Sequence, residues 1–195
     1  MNVAIIPARG GSKRLPRKNL HLVLGRPMIA WVIDACRACR RIDATYVSTE
    51  DAEIAAAARQ CGVEVIERPV ALADDTTPKQ AAVIHAVEWL EARRIRPELV
   101  ASVQPNSPEL TGALLEAGVD KLRQHQLWEV FSVDPQLLQN GAFRIMRRDV
   151  VFQRMPSVHC GVVIADCVDV HTAEDVRRVE ERLAAAGAPA VTKER

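Results

Sequence analysis

A cluster of basic residues and glycines near the N-terminus has the composition of an anion-binding loop. The stretch ARGGSKRLPRKN, residues 8–19, follows the apolar run NVAIIP, and residues 1–33 carry six Lys or Arg and no Asp or Glu. Adjacent glycines tolerate the unusual dihedral angles that let successive N–H groups surround an anion, and basic side chains add mobile positive charge. The candidates for anion binding in this stretch are Arg9, Gly10, Gly11, Lys13 and Lys18. The pattern predicts a polyphosphate site.

Two better-known phosphate-binding loops do not account for this stretch. A Walker A loop requires GxxxxGK[ST], and no glycine here has that spacing. A dinucleotide-binding GxGxxG loop is also excluded, because the third glycine is missing and Pro16 breaks the expected helix start. A solvated basic loop without a ligand is the alternative interpretation of the stretch taken by itself.

The elements that must position this loop alternate between strands and helices over the first two-thirds of the chain. Short apolar runs predict strands at residues 2–7, 45–48, 63–66, 99–103 and 130–133. Apolar residues three or four apart predict helices at residues 27–39, 50–61, 78–94 and 112–125. Thr76 and Thr77 are expected to cap the third of these helices. Such alternation is typical of right-handed βαβ units.

The last third of the chain follows a different pattern. Strands are predicted at residues 141–146 and 158–165 without a long helix between them. Thr172 and Asp175 have the spacing of a capping box, which predicts a final helix that runs to about residue 186. We therefore expect an α/β fold in which one domain, residues 1–195, contains a doubly wound and mainly parallel sheet.

Composition excludes several classes of protein. A net charge of +1 and an aromatic content of 4% argue against a nucleic-acid-binding surface. No apolar run approaches the ~20 residues of a membrane-spanning helix, and the N-terminus lacks a secretory pattern. Five cysteines, an odd number, do not form a disulfide framework. We expect a cytoplasmic protein with reduced thiols and with neither a nucleic-acid nor a membrane partner.

Five ordered blocks of the sequence resemble the acylneuraminate cytidylyltransferase (CMP-sialic acid synthetase) family. They are IIPARGGSKRLPRKNL, YVSTEDAEIAAAARQCGVEVIERPVALADDTTP, VQPNSPELTG, NGAFRIMRRDVVF and CVDVHTAEDV. The resemblance covers most of the chain and implies one nucleotidyltransferase domain with the Rossmann-like fold of nucleotide-diphospho-sugar transferases. It also implies that CTP binds with Mg²⁺ as cofactor, and that an oxygen of a small acidic acceptor attacks the α-phosphate with loss of pyrophosphate.

The resemblance also implies the site residues. The expected nucleotide-binding residues are Ala8, Arg9, Gly10, Gly11, Ser12, Lys13, Lys18, Asn19, Arg68 and Thr76. Gln104 matches a residue beside the reaction centre, between nucleotide and acceptor, and Asp169 matches the first aspartate of a metal-binding pair. Lys18 and Arg9 are the natural stabilisers of the departing pyrophosphate. The expected catalytic residues are thus Lys18, Arg9, Gln104 and Asp169.

The metal-binding pair departs from the family pattern at its second position. The family usually has D-x-D-T, whereas this chain has His171 in place of the second aspartate. His171 is a candidate metal ligand with Asp169, although imidazole suits Mg²⁺ less well than carboxylate does. Two other interpretations stay open: a base near neutral pH, or a polar residue before the helix cap. Asp149 and Asp166 are candidates for a missing carboxylate.

The acceptor side also departs from the family, because it lacks a long insertion. In the sialic-acid enzymes that insertion contributes to dimerisation and acceptor binding, whereas here FSVDPQLLQNGAF joins the two strands almost directly. The arginine before NGA that is associated with the sugar carboxylate is also missing. A homodimer is left open, and the acceptor is either a nonulosonic-type sugar acid or a smaller phosphonate. The cations available to bind it are Lys79, Arg144, Arg147 and Arg148.

These observations predict a CTP-dependent cytidylyltransferase of the nucleotidyltransferase class. Positioning and charge neutralisation account for most of the catalysis of such transfers, which fits a cationic loop. A non-catalytic CTP-binding relative with a degenerate metal site is the main alternative. An RNA-binding loop is a weaker one.

Overall fold

The computed structural model describes residues 1–12, 14–74, 76–153 and 155–188 and confirms the predicted α/β class. The strands are β1 (Asn2–Pro7), β2 (Leu22–Val23), β3 (Arg26–Pro27), β4 (Ala44–Thr49), β5 (Glu64–Glu67), β6 (Leu99–Val103), β7 (Glu129–Val133), β8 (Gln139–Arg147) and β9 (Cys160–Ile164). The α-helices are α1 (Met28–Ala38), α2 (Ala52–Gln60), α3 (Lys79–Ala92), α4 (Gly112–Gln124) and α5 (Ala173–Ala185). Short 3₁₀ helices span Lys18–Leu20, Val70–Leu72 and Arg148–Phe152.

Seven strands form one sheet in the order β5-β4-β1-β6-β8-β7-β9. β1 is parallel to both β4 and β6, and β4 is parallel to β5. β8 is antiparallel to its two neighbours, and β7 pairs in parallel with β9. The sheet is therefore mainly parallel, with one strand reversed.

Helices cover both faces of the sheet, which makes it doubly wound. β1 is buried along its whole length because its side chains alternate between two apolar clusters. Ala4 and Ile6 belong to the cluster beneath α1, α2 and α4, whereas Val3 and Ile5 belong to the cluster beneath α3. The chain leaves β1 towards β4 on one side and later enters β6 on the other. The loop after β1 therefore lies at a topological switch point, where open α/β sheets bind ligands.

The predicted capping box of α5 is confirmed, whereas the predicted cap of α3 is wrong. Thr172 and Asp175 exchange the two hydrogen bonds of a capping box. Thr76 and Thr77 instead donate their backbone N–H groups to Asp74 Oδ1 over 2.8 and 2.6 Å, and a proline holds the N-cap position of α3. The Thr77 N–H, followed by the bonds from Thr76, lowers the pKa of the exposed Asp74 carboxyl to about 2.

A short hairpin after the basic loop was absent from the predicted elements. β2 and β3 pair across Leu24 and Gly25, which have φ values of 48° and 80°. Two consecutive positive φ values are typical of a type I′ turn. Each strand has only two residues, so no alternating pattern marks it in the sequence. The hairpin is followed immediately by α1.

All five cysteines are free thiols, and burial raises the pKa of both Cys36 and Cys39, as expected for structural cysteines. Among the residues with described coordinates, no helix is long and apolar enough to cross a membrane.

Candidate active site

A cleft of about 420 Å³ opens where β1 and β6 end, on the side of the sheet where the basic loop lies. The predicted site residues that line it are Arg9, Gly11, Ser12, Lys18, Asn19, Arg68, Gln104 and His171. Ala8 is instead fully buried in the core, and Thr77 rather than Thr76 lines the cleft. Lys13 lies outside the described residues. The structure thus brings most of the predicted residues to one cavity.

Asn19 and Arg9 fix the course of the basic loop. Asn19 is buried and its amide nitrogen donates to the Arg9 carbonyl over 2.9 Å. That bond orients the amide and leaves Asn19 Oδ1 buried without a hydrogen-bond partner among the described residues. The Arg9 guanidinium crosses the cleft and donates to the Asp74 carbonyl over 2.8 Å. The site therefore offers a buried acceptor as well as cations.

Glu50 is a functional candidate that sequence reasoning missed. Its Oε1 accepts the Gly10 N–H over 2.8 Å, and its Oε2 is held by the Arg68 guanidinium. Gly10 does not adopt a positive φ; it is needed because a Cβ there would collide with the Asp51 side chain. The Gly10 N–H, which the sequence predicts to bind phosphate, therefore already donates a hydrogen bond to a carboxylate of the protein.

We expect Glu50→Ala to lower the free energy of unfolding by about 3–5 kcal/mol, because it leaves the buried Arg68 guanidinium without the Glu50 carboxylate. The Arg68 and Glu50 side chains are only 4% and 15% exposed. The control is Glu53→Ala, which removes an Arg17–Glu53 pair whose side chains are 50% and 68% exposed and should cost at most about 1 kcal/mol. Urea unfolding measures both, and equal losses would contradict a special role for the buried pair.

Asn106 and His171 line the second end of the cleft, whereas Asp169, which contacts both, lines a separate pocket. Asp169 Oδ2 lies 2.8 Å from His171 Nε2, and Asp169 Oδ1 accepts a hydrogen bond from the Asn106 amide. His171 Nδ1 in turn lies 3.4 Å from Lys18 Nζ. Burial lowers the pKa of Lys18, and the negative charge of Asp169 opposes that shift. His171 therefore joins the basic loop to the Asp169 segment, although Lys18 and Asp169 are 151 residues apart in the sequence.

Asn106 is a second residue that sequence reasoning missed. It is buried at the end of the segment after β6, and its amide also donates to the Val170 carbonyl over 2.9 Å. The Asn106 carbonyl accepts the Val170 N–H over 3.0 Å. These bonds fix the segment that carries Asp169. The sequence feature that could have identified Asn106 is its position in the VQPNSP block, two residues after Gln104.

The residues around Asp169 fit a magnesium ion only if the nucleotide completes the coordination. Within the described parts of the chain, no three His, Cys, Asp or Glu residues are grouped so as to hold a metal. Asp149 pairs with Arg148 and Asp166 pairs with Arg182, so neither joins Asp169 as a second carboxylate. Mg²⁺ is commonly held by one or two carboxylates together with substrate phosphates, and Asp169 fits that arrangement.

The candidate cations for the acceptor lie in different places. Lys79, the first residue of α3, lines the cleft. Arg144 is held by the buried Glu129 carboxylate at 2.7 Å. Arg147 donates to the Leu127 carbonyl, and Arg148 donates to Glu91. Lys79 is therefore the one of these four side chains that lines the cleft.

Gln104 is placed by β8 as well as by β6. Its backbone N–H donates to the Ala142 carbonyl over 2.9 Å. Gly141 has a φ of 72°, and a Cβ there would lie 3.1 Å from Gln104 Nε2. The glycine thus gives the Gln104 amide room at the cleft.

Comparison with known proteins places these features in a family context. A family model described as Cytidylyltransferase matches residues 3–186. The chain is 36% identical over 126 residues to pseudaminic acid cytidylyltransferase of Campylobacter jejuni subsp. jejuni serotype O:23/36, covering 64% of this chain and 54% of that protein. It is 35% identical over 131 residues to 3-deoxy-manno-octulosonate cytidylyltransferase of Synechococcus elongatus, covering 67% and 50%. The chain therefore spans about half the length of these curated relatives.

Solved structures share the fold at low sequence identity. The structure of CMP:2-keto-3-deoxy-manno-octonic acid synthetase complexed with CTP superposes with a TM-score of 0.76 at 18% identity, covering 95% of this chain and 99% of that chain. A cytidylyltransferase from Leptospira borgpetersenii gives a TM-score of 0.71 at 14% identity, covering 94% and 87%. These likenesses confirm the predicted Rossmann-like fold.

Proposed function

Because this chain belongs to the cytidylyltransferase family, we propose that it transfers CMP from CTP to an acidic acceptor and releases pyrophosphate. The observation that carries the proposal is one cleft with the basic loop at one end and, at the other, Asn106 and His171, both of which contact Asp169. Lys18 connects the two ends, because its Nζ lies 3.4 Å from His171 Nδ1. The arrangement supplies positive charge for a triphosphate beside a carboxylate suited to a metal ion.

The basic loop serves the nucleotide. A triphosphate carries about four negative charges, and Arg9 and Lys18 in the cleft offset part of that charge. Asn19 Oδ1 is a buried acceptor, so it requires a donor, which a phosphate group does not provide. A ribose hydroxyl or the amino group of cytosine provides one. We therefore place the nucleoside against Asn19 and the phosphates towards Lys18.

In the transfer step an acceptor hydroxyl oxygen forms a new bond to the α-phosphorus. The bond from the α-phosphorus to the oxygen that bridges to the β-phosphate breaks, and pyrophosphate leaves with its electron pair. The hydroxyl proton passes to solvent. Lys18 stabilises the negative charge that grows on the leaving group, and Gln104, which also lines the cleft, orients the reactants. Bound Mg²⁺, held by Asp169, would add positive charge at the phosphates.

For the acceptor we propose a sugar acid whose carboxylate is bound by Lys79. The curated relatives are named for pseudaminic acid and 3-deoxy-manno-octulosonate. Lys79 lines the cleft, and the cleft walls lower its pKa by desolvation while Asp169 opposes that shift. A small phosphonate also presents an anionic group, in less volume. It is therefore the second acceptor class to examine.

A pyrophosphate-release screen tests this proposal. The protein is incubated with Mg²⁺ and CTP, UTP, ATP or GTP, each combined with sialic-type sugars, 3-deoxy-manno-octulosonate or small phosphonates. We expect release with CTP and a sugar acid, and none when the acceptor is omitted. CTP binding without release across the whole panel would instead support a non-catalytic relative.

We expect Gly141→Ala to lower kcat about tenfold or more with little change in CTP affinity, because it displaces Gln104. The matched control is Gly62→Ala, since Gly62 has a nearly identical φ of 73° but its added Cβ would meet only the tip of Arg37, at 3.8 Å. Both variants incur similar backbone strain. Steady-state kinetics with thermal unfolding compares them, and an equal loss of kcat in the two would refute a specific effect on Gln104.

A further inference from the structure

The side chain of His171 uses both ring nitrogens within the protein. Nε2 lies 2.8 Å from Asp169 Oδ2, and Nδ1 lies 3.4 Å from Lys18 Nζ. Carboxylate is only an acceptor and ammonium only a donor. The ring must therefore carry its proton on Nε2 and accept from Lys18 at Nδ1. Neither nitrogen has a lone pair left over for a metal ion in this arrangement.

The backbone of His171 is also fixed. Its N–H donates to Asp175 Oδ2 over 2.8 Å, and the same carboxylate completes the capping box of α5 with Thr172. Asp169 is held in turn by the buried Asn106. The imidazole is therefore oriented by its own backbone and by an anchored carboxylate. Such support from both sides makes it a rigid acceptor for the flexible Lys18 side chain.

We propose that His171 is a positioning residue that holds Lys18 in the cleft for the triphosphate, rather than a metal ligand. The proposal rests on the proposed function, since it concerns how CTP is bound. The Lys18 ammonium is connected to the backbone by four rotatable bonds, and fixing its position beforehand lowers the entropy lost when phosphate binds. In this chain the residue at the second position of the family's acidic pair, His171, therefore supports Lys18 of the basic loop.

Calorimetry of CTP binding in EDTA tests the proposal, because a metal ligand has no role there. We expect His171→Ala to weaken metal-free binding about tenfold, the usual scale for a lost charge-assisted hydrogen bond. His171→Gln should stay within about threefold of the wild type, because one amide supplies both the donor and the acceptor. Magnesium titration at saturating CTP should give the same half-saturation in all three proteins.

The control variant is His125→Ala, which removes an exposed histidine after α4 and should bind CTP like the wild type. If His171→Ala fails to fold, His171→Leu replaces it by filling the ring volume without either hydrogen bond. Unchanged metal-free affinity, a glutamine variant as weak as the alanine variant, or a raised magnesium requirement would overturn the proposal. Wild-type protein that does not bind CTP would refute the proposed function instead.

Discussion

Lys18→Met is expected to lower kcat/KM for CTP by about 10²–10³-fold, the scale seen when one preorganised charge donor is removed. Lys18 lines the cleft and carries the cation that His171 orients. Methionine retains most of the side-chain volume, so the loss reports on charge. Because the ammonium is needed most when pyrophosphate departs, we expect kcat to fall further than CTP affinity.

The neighbouring residue provides a matched control for Lys18. Arg17→Met removes one positive charge from the same loop, but Arg17 is exposed and pairs with Glu53 at the surface. Its kcat/KM should stay within about threefold of the wild type, since exposed charges are well screened. Steady-state pyrophosphate release measures both variants. A Lys18→Met enzyme as active as the Arg17→Met enzyme would show that Lys18 has no special part in transfer.

Asp169→Asn is expected to lower kcat by about 10²–10³-fold, since it removes the carboxylate proposed to hold Mg²⁺ while keeping the shape of the side chain. The substitution also removes a negative charge that faces Lys18 and Lys79. We therefore expect metal-free CTP binding to change much less than turnover. The apparent affinity for Mg²⁺ in the assay should fall together with kcat.

The control for Asp169 lies three residues earlier in the same segment. Asp166→Asn makes the same chemical change, but Asp166 pairs with Arg182, whereas Asp169 contacts Asn106 and His171, which line the cleft. Its kcat should remain within about twofold of the wild type. Kinetics over a range of Mg²⁺ concentrations separates the two variants. Retention of normal turnover and magnesium dependence by Asp169→Asn would contradict the assigned role.

The parts of the fold that are local in sequence were predicted well. The buried strand before the basic loop and the capping box at Thr172 depend on residues a few positions apart. The β2–β3 hairpin was missed because two-residue strands carry no periodicity. The cap of α3 was misassigned because the Thr76 and Thr77 hydroxyls bond to Asp74 and to the Ala71 carbonyl, and Pro78 takes the N-cap position.

The unpredicted parts of the site depend on contacts between distant segments. Asn106 meets Asp169 across 63 positions, and Glu50 reaches Gly10 across 40. No spacing rule in the sequence relates such pairs, because the sheet order brings them together. The sequence shows His171 as a departure from the family pattern, but its contact with Lys18 emerges only when the basic loop and the segment before α5 are placed in the fold.

The central claim is the formation of a covalent bond between CMP and an acidic acceptor, and mass spectrometry of the reaction mixture tests it most directly. CTP, Mg²⁺ and a sugar acid are incubated with the wild-type protein, with Lys18→Met as the inactive control. We predict a product whose mass equals the acceptor plus CMP minus water, formed in equal amount with pyrophosphate by the wild type. Pyrophosphate formed together with free CMP alone, or no product with any sugar acid or phosphonate, would contradict the account.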